Sequence, residues 1–403
     1  MQAAWRIGHL FGIPLFLDSS WFIILLWATY VNGLYYQDKG PILAWVTGLV
    51  IALLLFGSVL LHELGHSLVA ISQGIKVNSI TLFLFGGIAL IDEESKTPGQ
   101  AFQVAIAGPL VSLVLFFLLG IISLLLPTSS LLAELTNRVA EINLVLAIFN
   151  MIPGLPLDGG QVLKAAVWKI TGSRFIGVRW AAKFGQGFGW LAIILGIIVI
   201  LATKDLGGLW IVFIGGFALR NAKIYHRITD LQEALIQIKA SDTMTRDFRV
   251  VDTNLSLSQF AERYVFKDSK FSTYFAASEG RYQGLVSADA LRFIDRSYWD
   301  TQTVRMIICP LNQIVTVSEK ANLVEVINCM EYHQKQRITV LSLAGAVAGI
   351  IDKGDIVRVI ARYLKMKISE SEIKQVKRNG IYPPGMKLGA IAKATATFLS
   401  SFK

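Results

Sequence analysis

The chain of 403 residues carries 38 Lys and Arg against 28 Asp and Glu, a formal net charge of +10, and is 54% apolar, with a mean hydropathy of +0.55. Those figures exclude a disordered chain, a collagen and an ordinary soluble enzyme. Charge is unevenly spread, with 22 charged residues in the first 220 and 44 in the remaining 183, so a membrane-like half precedes a soluble-like half. Two cysteines, Cys309 and Cys329, both in the second half, are too few for a disulfide scaffold and fit a reducing compartment.

A spanning helix needs about 20 mostly apolar residues. The uncharged runs between Asp18 and Asp38, Lys39 and Glu63, Lys96 and Glu134, and Lys183 and Lys204 meet or approach that length. Shorter runs from Glu141 to Asp158 and from Asp205 to Arg220 complete an expected set of about six spans. The first run has no basic cluster before it and no small-residue cleavage site after it, so it reads as a retained helix. With the amino terminus cytoplasmic, nine basic residues of the short loops, among them Arg6, Lys76, Arg174 and Arg227, fall inside and three, Lys39, Arg138 and Lys204, fall outside. That asymmetry follows the positive-inside rule and puts the charged half in the cytoplasm. Between the second and third spans, Val77 to Leu90 joins β-branched and aromatic residues to a Gly86-Gly87 turn signal, which predicts a membrane-associated β-hairpin. Its open edge cannot face lipid, so it must be covered, lie in the interface or take up a partner strand.

Near the cytoplasmic end of the second span stands His62-Glu63-Leu64-Gly65-His66. On a helix, positions i and i+4 share a face, so both imidazoles reach one ion while Glu63 lies beside it, ready to take a proton from water. At the frequencies of His and Glu in this chain the pattern arises by chance about 0.002 times, and ionisable groups inside a spanning helix mark a functional site by default. Catalytic zinc keeps three protein ligands and one open position. His9, His226 and His333 are poorly placed in sequence to be the third. The fourth apolar run ends in Asn150-Met151-Ile152-Pro153-Gly154-Leu155-Pro156-Leu157-Asp158-Gly159-Gly160, where prolines and glycines break the helix at membrane depth. Irregular backbone survives there only when buried or lining a wet cavity, so Asp158 is a candidate ligand as well as a candidate helix cap.

The pairing of His62-Glu63-Leu64-Gly65-His66 on one helix with the Asn150 to Gly160 motif on a later one resembles the site-2 proteases of peptidase family M50, over roughly residues 1–225. The resemblance implies an intramembrane zinc metalloendopeptidase with His62, His66 and Asp158 as ligands, Glu63 as catalytic acid/base and Asn150 holding the substrate carbonyl or its oxyanion. The family's Gly-Pro in the third span appears as Gly108-Pro109. The resemblance also implies single-span membrane substrates, such as anti-sigma factors, held in part by the hairpin.

Residues 226–239 read as a linker. From 240 to 365 a weak repeat with a period near 63 residues runs strand, helix, strand, strand, helix in each copy (240–298 and 302–365), and it resembles a tandem CBS pair. Such a pair implies regulation by an adenosine nucleotide, ATP or AMP, or homodimer formation. The first copy has Ser287 but Ala290 at the family's ribose position, with Asp289 one place early; the second has Asp355 at that position but Asp352 in place of the hydroxyl. Asp355 is the implied ribose contact or else a helix cap. Residues 366–403 form a strongly basic stretch, expected as a solvated tail or as a contact with anionic lipid. No pattern suggests nucleic acid. The expected protein is therefore a polytopic helical protein of the cell inner membrane, its amino terminus and α/β CBS pair cytoplasmic. The competing reading is a CBS-regulated transporter or channel with a metal site, which has no need of a general base at Glu63.

Overall fold

The computed structural model describes residues 5–84, 86–92, 94–128, 130–204, 207–266 and 273–400. The chain divides into two compact units, Met1–Thr229 and Asp230–Ser400.

The first unit opens with two strands, β1 (Trp5–Leu10) and β2 (Ile13–Leu17), joined by a tight turn at Phe11-Gly12, both with positive φ. Two helices follow, α1 (Ser20–Tyr35) and α2 (Pro41–Ser72), and then the predicted hairpin as β3 (Val77–Phe83) and β4 (Gly86–Ile91). The four strands make one sheet in the order β1-β2-β3-β4, with β2 and β3 parallel and the other pairs antiparallel. Ile13, Leu15 and Ile80 pack beneath it against Leu64 and Ala70 of α2. Each fully buried aliphatic side chain of this kind contributes about 1.5–3 kcal/mol, which fastens the sheet to the helix that carries the histidine motif. Along β4 the period of two turns Ile88 and Leu90 outward, 54% and 57% exposed, and leaves Gly87 and Ala89 facing the helices.

Helices α3 (Pro98–Leu125), α4 (Leu131–Asn150), α5 (Asp158–Thr171), α6 (Arg174–Thr203) and α7 (Gly207–Gln237) follow. Among the described residues three helices, α2, α3 and α6, are long and apolar enough to cross a membrane, while α1 is apolar but only 16 residues long. At 1.5 Å per residue the 32 residues of α2 extend about 48 Å, well beyond a hydrocarbon core of about 30 Å. The run expected as a span between Glu141 and Asp158 is only partly helical. Its helix begins earlier, at Leu131, takes in Glu134, Arg138 and Glu141, and stops at Asn150 because Pro153 and Pro156 cannot continue it.

The second unit contains two sheets. Single-turn helices α8 (Ala240–Thr243) and α9 (Leu257–Phe260) flank β5 (Arg249–Asp252); β6 (Tyr274–Ser278) and β7 (Arg281–Val286) follow, and β8 (Ile308–Pro310) completes the order β5-β6-β7-β8. The second sheet contains β9 (Thr316–Ser318), β10 (Arg337–Leu341) and β11 (Val347–Asp352), with helices α10 (Leu323–Tyr332) and α11 (Lys353–Tyr363). Each copy lends its first extended segment to the other's sheet. Thr245 bonds to Ile350 of β11 in both directions, at 2.8 and 2.9 Å, and 63 residues later Ile308 pairs with Val286 of β7. The closing helix expected of the first copy is reduced to a 3₁₀ segment at Ala288–Phe293.

The division between the two units falls within residues 226–239, expected as a linker; these residues lie largely within α7, which runs to Gln237 and whose Leu231, Ala234 and Leu235 are buried in the second unit's core. Within 366–400, expected as part of a basic tail, the chain forms α12 (Glu370–Asn379) and α13 (Leu388–Ser400). Val376, Leu388 and Ala392 of these helices join that same core, while Lys374 and Lys393 are exposed on the other faces.

Candidate metal centre

His62 and His66 lie one turn apart on the buried face of α2, 3% and 8% exposed. Asp158 begins α5, where the helix dipole favours a carboxylate, and the Asn150–Asp158 break brings it back against α2. The three side chains converge. Asp158 Oδ2 is 3.0 Å from His62 Nε2 and 3.3 Å from His66 Nε2, and the two Nε2 atoms are 3.3 Å apart. Among the described residues they are the one group of His, Cys, Asp and Glu with metal-ligand spacing. His9 lies in β1, His226 in α7 and His333 at the end of α10, none of them in this group.

The far side of each ring shows what the near side can bind. His66 Nδ1 is 2.6 Å from the Val104 carbonyl, which can only accept, so Nδ1 carries the proton and Nε2 turns a lone pair toward His62 and Asp158. His62 Nδ1 meets Ser112 Oγ at 2.9 Å. In the neutral ring that lone pair faces a carboxylate oxygen at 3.3 Å, a contact that is attractive only with a metal cation or a proton between them. Zinc bonds of 2.0–2.1 Å at tetrahedral angles separate ligand atoms by about 3.3 Å, and the three observed separations fit that figure.

Two glycines shape the surroundings by what they lack. A Cβ at Gly108 of α3 would stand 2.2 Å from His66 Nε2 and 2.7 Å from His62 Nε2, so only glycine leaves the converging nitrogens clear. A Cβ at Gly87 of β4 would stand 2.4 Å from Glu63 Cγ; the β4 backbone therefore passes directly over the Glu63 carboxylate. Glu63, half-buried, follows His62 on α2 and faces this strand. Asn150 is half-buried at the end of α4, with the turn 151–157 between it and Asp158. Ser112 and the Val104 carbonyl were not singled out from the sequence. A hydroxyl in the apolar α3, one turn after Gly108, was the available signal for Ser112, whereas a backbone carbonyl leaves none.

Asp355, expected as a ribose contact, is 2% exposed and already engaged. It forms a capping box with Asp352 at the start of α11 (Asp355 N to Asp352 Oδ1, 2.9 Å). Its Oδ1 accepts from Lys377 Nζ of α12 at 2.6 Å, and the same ammonium is 3.0 Å from Asp352 Oδ2. In this structure the helix expected as free tail covers the position expected to hold a nucleotide.

Comparison with known proteins adds five findings. Peptidase family M50 matches residues 50–141 and 128–189, and the CBS domain matches residues 304–362. A Synechocystis sp. protein named as a zinc metalloprotease is 40% identical over 362 residues, which is 88% of this chain and 95% of that protein. Rip3 of Mycobacterium tuberculosis, also named as a zinc metalloprotease, is 31% identical over 372 residues, 90% of this chain and 94% of Rip3. The solved site-2 protease from Methanocaldococcus jannaschii is similar over 56% of this chain and 96% of its own, at 27% identity and a TM-score of 0.41.

Proposed function

This chain belongs to peptidase family M50, carries a CBS domain and is a zinc metalloprotease; from that premise we propose that it cleaves single-span membrane proteins within or near the bilayer. Zinc would be held by His62, His66 and Asp158. The observation that carries this is the 3.0–3.3 Å convergence of three ligand atoms with the His66 proton held on the far nitrogen.

Bound there, zinc would supply Lewis acidity that acidifies water and polarises a carbonyl. Glu63 takes the proton of the attacking water and passes it to the leaving amine. Asn150 steadies the developing negative charge on the carbonyl oxygen. Ser112 and the Val104 carbonyl orient the two imidazoles. Because β4 ends its sheet, a substrate segment unwound from its helix adds as a further strand, and the Gly87 contact with Glu63 supports the scissile bond lying over that carboxylate.

The membrane topology we propose has six crossings, α1, α2, α3, α4, α6 and α7, with the amino terminus and the CBS pair on the cytoplasmic side of the inner membrane. The Lys39–Glu134 ion pair supports one common side for the α1–α2 and α3–α4 connections, and the Arg174–Glu94 pair supports the opposite side for the starts of α3 and α6. For the CBS pair we propose a role in homodimer assembly, since Lys377 already occupies Asp352 and Asp355, which argues against a ribose contact there. Substrates of the anti-sigma-factor class fit the topology. Elemental analysis of the Asp158→Ala protein tests the ligand set: zinc content should fall, and unchanged stoichiometry would remove Asp158 from it.

A further inference from the structure

A cavity of about 250 Å³ lies within the first unit. Its described wall is mostly apolar, with Ile24 from α1, Val59 from α2, Phe149 from α4, Phe188 from α6, and Trp210 and Ala218 from α7. Phe149 and Phe188 meet edge to face at 6.2 Å. Among the described residues no charged side chain lines it.

Three separate pieces of backbone join this cavity to the metal centre. Val59 stands one helical turn before Glu63 and on the same face of α2. Gly86 of the lining immediately precedes Gly87, the residue pressed against Glu63, and Leu157 of the lining immediately precedes Asp158. A peptide bond presented to Glu63 and to the His62–His66–Asp158 group therefore has a flanking side chain within reach of the cavity.

The volume and the lining limit the occupant. Pockets that enclose a whole drug-sized molecule measure about 300–1,000 Å³, and this one is smaller. A mostly apolar lining favours an apolar occupant, because a charged group would lose its water there with no charged partner among the described lining residues. We infer that the cavity is a specificity subsite for one bulky apolar side chain, aromatic or long aliphatic, next to the scissile bond of the substrate. Phe149, Phe188, Trp210 and Ala218 set its size. This rests on the proposed reading of the chain as a protease with Glu63 at the reacting atoms.

The test uses the full zinc-loaded chain in detergent micelles. The probes are apolar host peptides carrying Phe, Leu, Ala or Asp at each position in turn, with cut sites read by mass spectrometry. One fixed position relative to the cut should prefer Phe or Leu over Ala and reject Asp. Ala218→Phe, which fills the cavity, should lower the ratio of kcat/KM for the Phe peptide to that for the Ala peptide by about 10- to 200-fold, the range for a hydrophobic pocket. Phe188→Ala, which enlarges it, should shift preference toward Trp. Each ratio is taken within one variant, so partial misfolding does not move it. Unchanged ratios in both variants would overturn the subsite, and so would bound lipid displaced by Ala218→Phe with no change in preference. If both variants are inactive, a host peptide carrying a photoreactive Phe analogue decides on the wild type: adducts on Phe149, Phe188 or α7 support the subsite, and adducts elsewhere overturn it. Cleavage that persists in Glu63→Gln, or no cleavage of any host peptide by the wild type, would instead overturn the protease reading on which the subsite depends.

Discussion

Replacing Lys377 with Met in the whole chain should loosen α12. The Lys377 ammonium is shared by two carboxylates, 2.6 Å from Asp355 and 3.0 Å from Asp352, and those two residues are only 2% and 7% exposed. Removing one partner of a buried pair costs about 3–5 kcal/mol because the other charge stays buried. Arg358 remains 3.4 Å from Asp355 and Lys377 is itself partly exposed, so the low end applies, about 3 kcal/mol. At 1.4 kcal/mol per tenfold, hydrogen-exchange protection of Glu370–Asn379 should fall by roughly 100-fold, more than that of Arg337–Leu341. The pH dependence has a defined sign. Burial raises the Asp355 carboxyl above the usual carboxylate range even with the ammonium present. A folded-state value above the unfolded one gives stability that is present at low pH and lost as pH rises. Without Lys377 the Asp355 value should rise further, so the variant's deficit should be smaller near pH 5 than near pH 8. Protection within about threefold of wild type, or a deficit that grows on acidification, would refute this account of α12.

Gly108→Ala should abolish zinc binding while circular dichroism keeps its helical signal, because the added methyl occupies the space between the two Nε2 atoms. Ser112→Ala should weaken zinc affinity by about 10- to 100-fold, the usual effect of losing a group that orients a ligand, as read by chelator competition. Cysteines introduced near Arg174 and Arg227 should label from the cytoplasmic side and one near Lys204 from the other, and the reverse pattern would contradict the proposed topology.

The features legible in the sequence are those with short-range signatures. The His62–His66 spacing required only that α2 be helical, and the Val77–Leu90 hairpin announced itself through β-branched residues and Gly86-Gly87. Strands β1 and β2 were missed because Pro14 interrupts a five-residue strand and the alternation around it is brief. The fate of residues 366–403 was obscured by their charge. Lysines dominate the composition, yet Ile373 with Val376, and Leu388 with Ala392, recur at helical spacing and bury one face of each helix. Asp355 was legible as a helix-start residue, but its Lys377 partner lies 22 positions away, and only the fold brings them together. The same holds for Ser112 and Val104, which reach His62 and His66 across the α2–α3 contact.

The central claim is that a zinc site at His62, His66 and Asp158 hydrolyses peptide bonds with Glu63 as its proton carrier. Its most direct test is the cleavage rate of one single-span membrane substrate by zinc-loaded wild type and Glu63→Gln proteins, compared side by side. The account predicts equal zinc content and at least about 100-fold slower cleavage by the variant, the low end of a general acid/base contribution. Near-normal cleavage by Glu63→Gln at full zinc occupancy would contradict it.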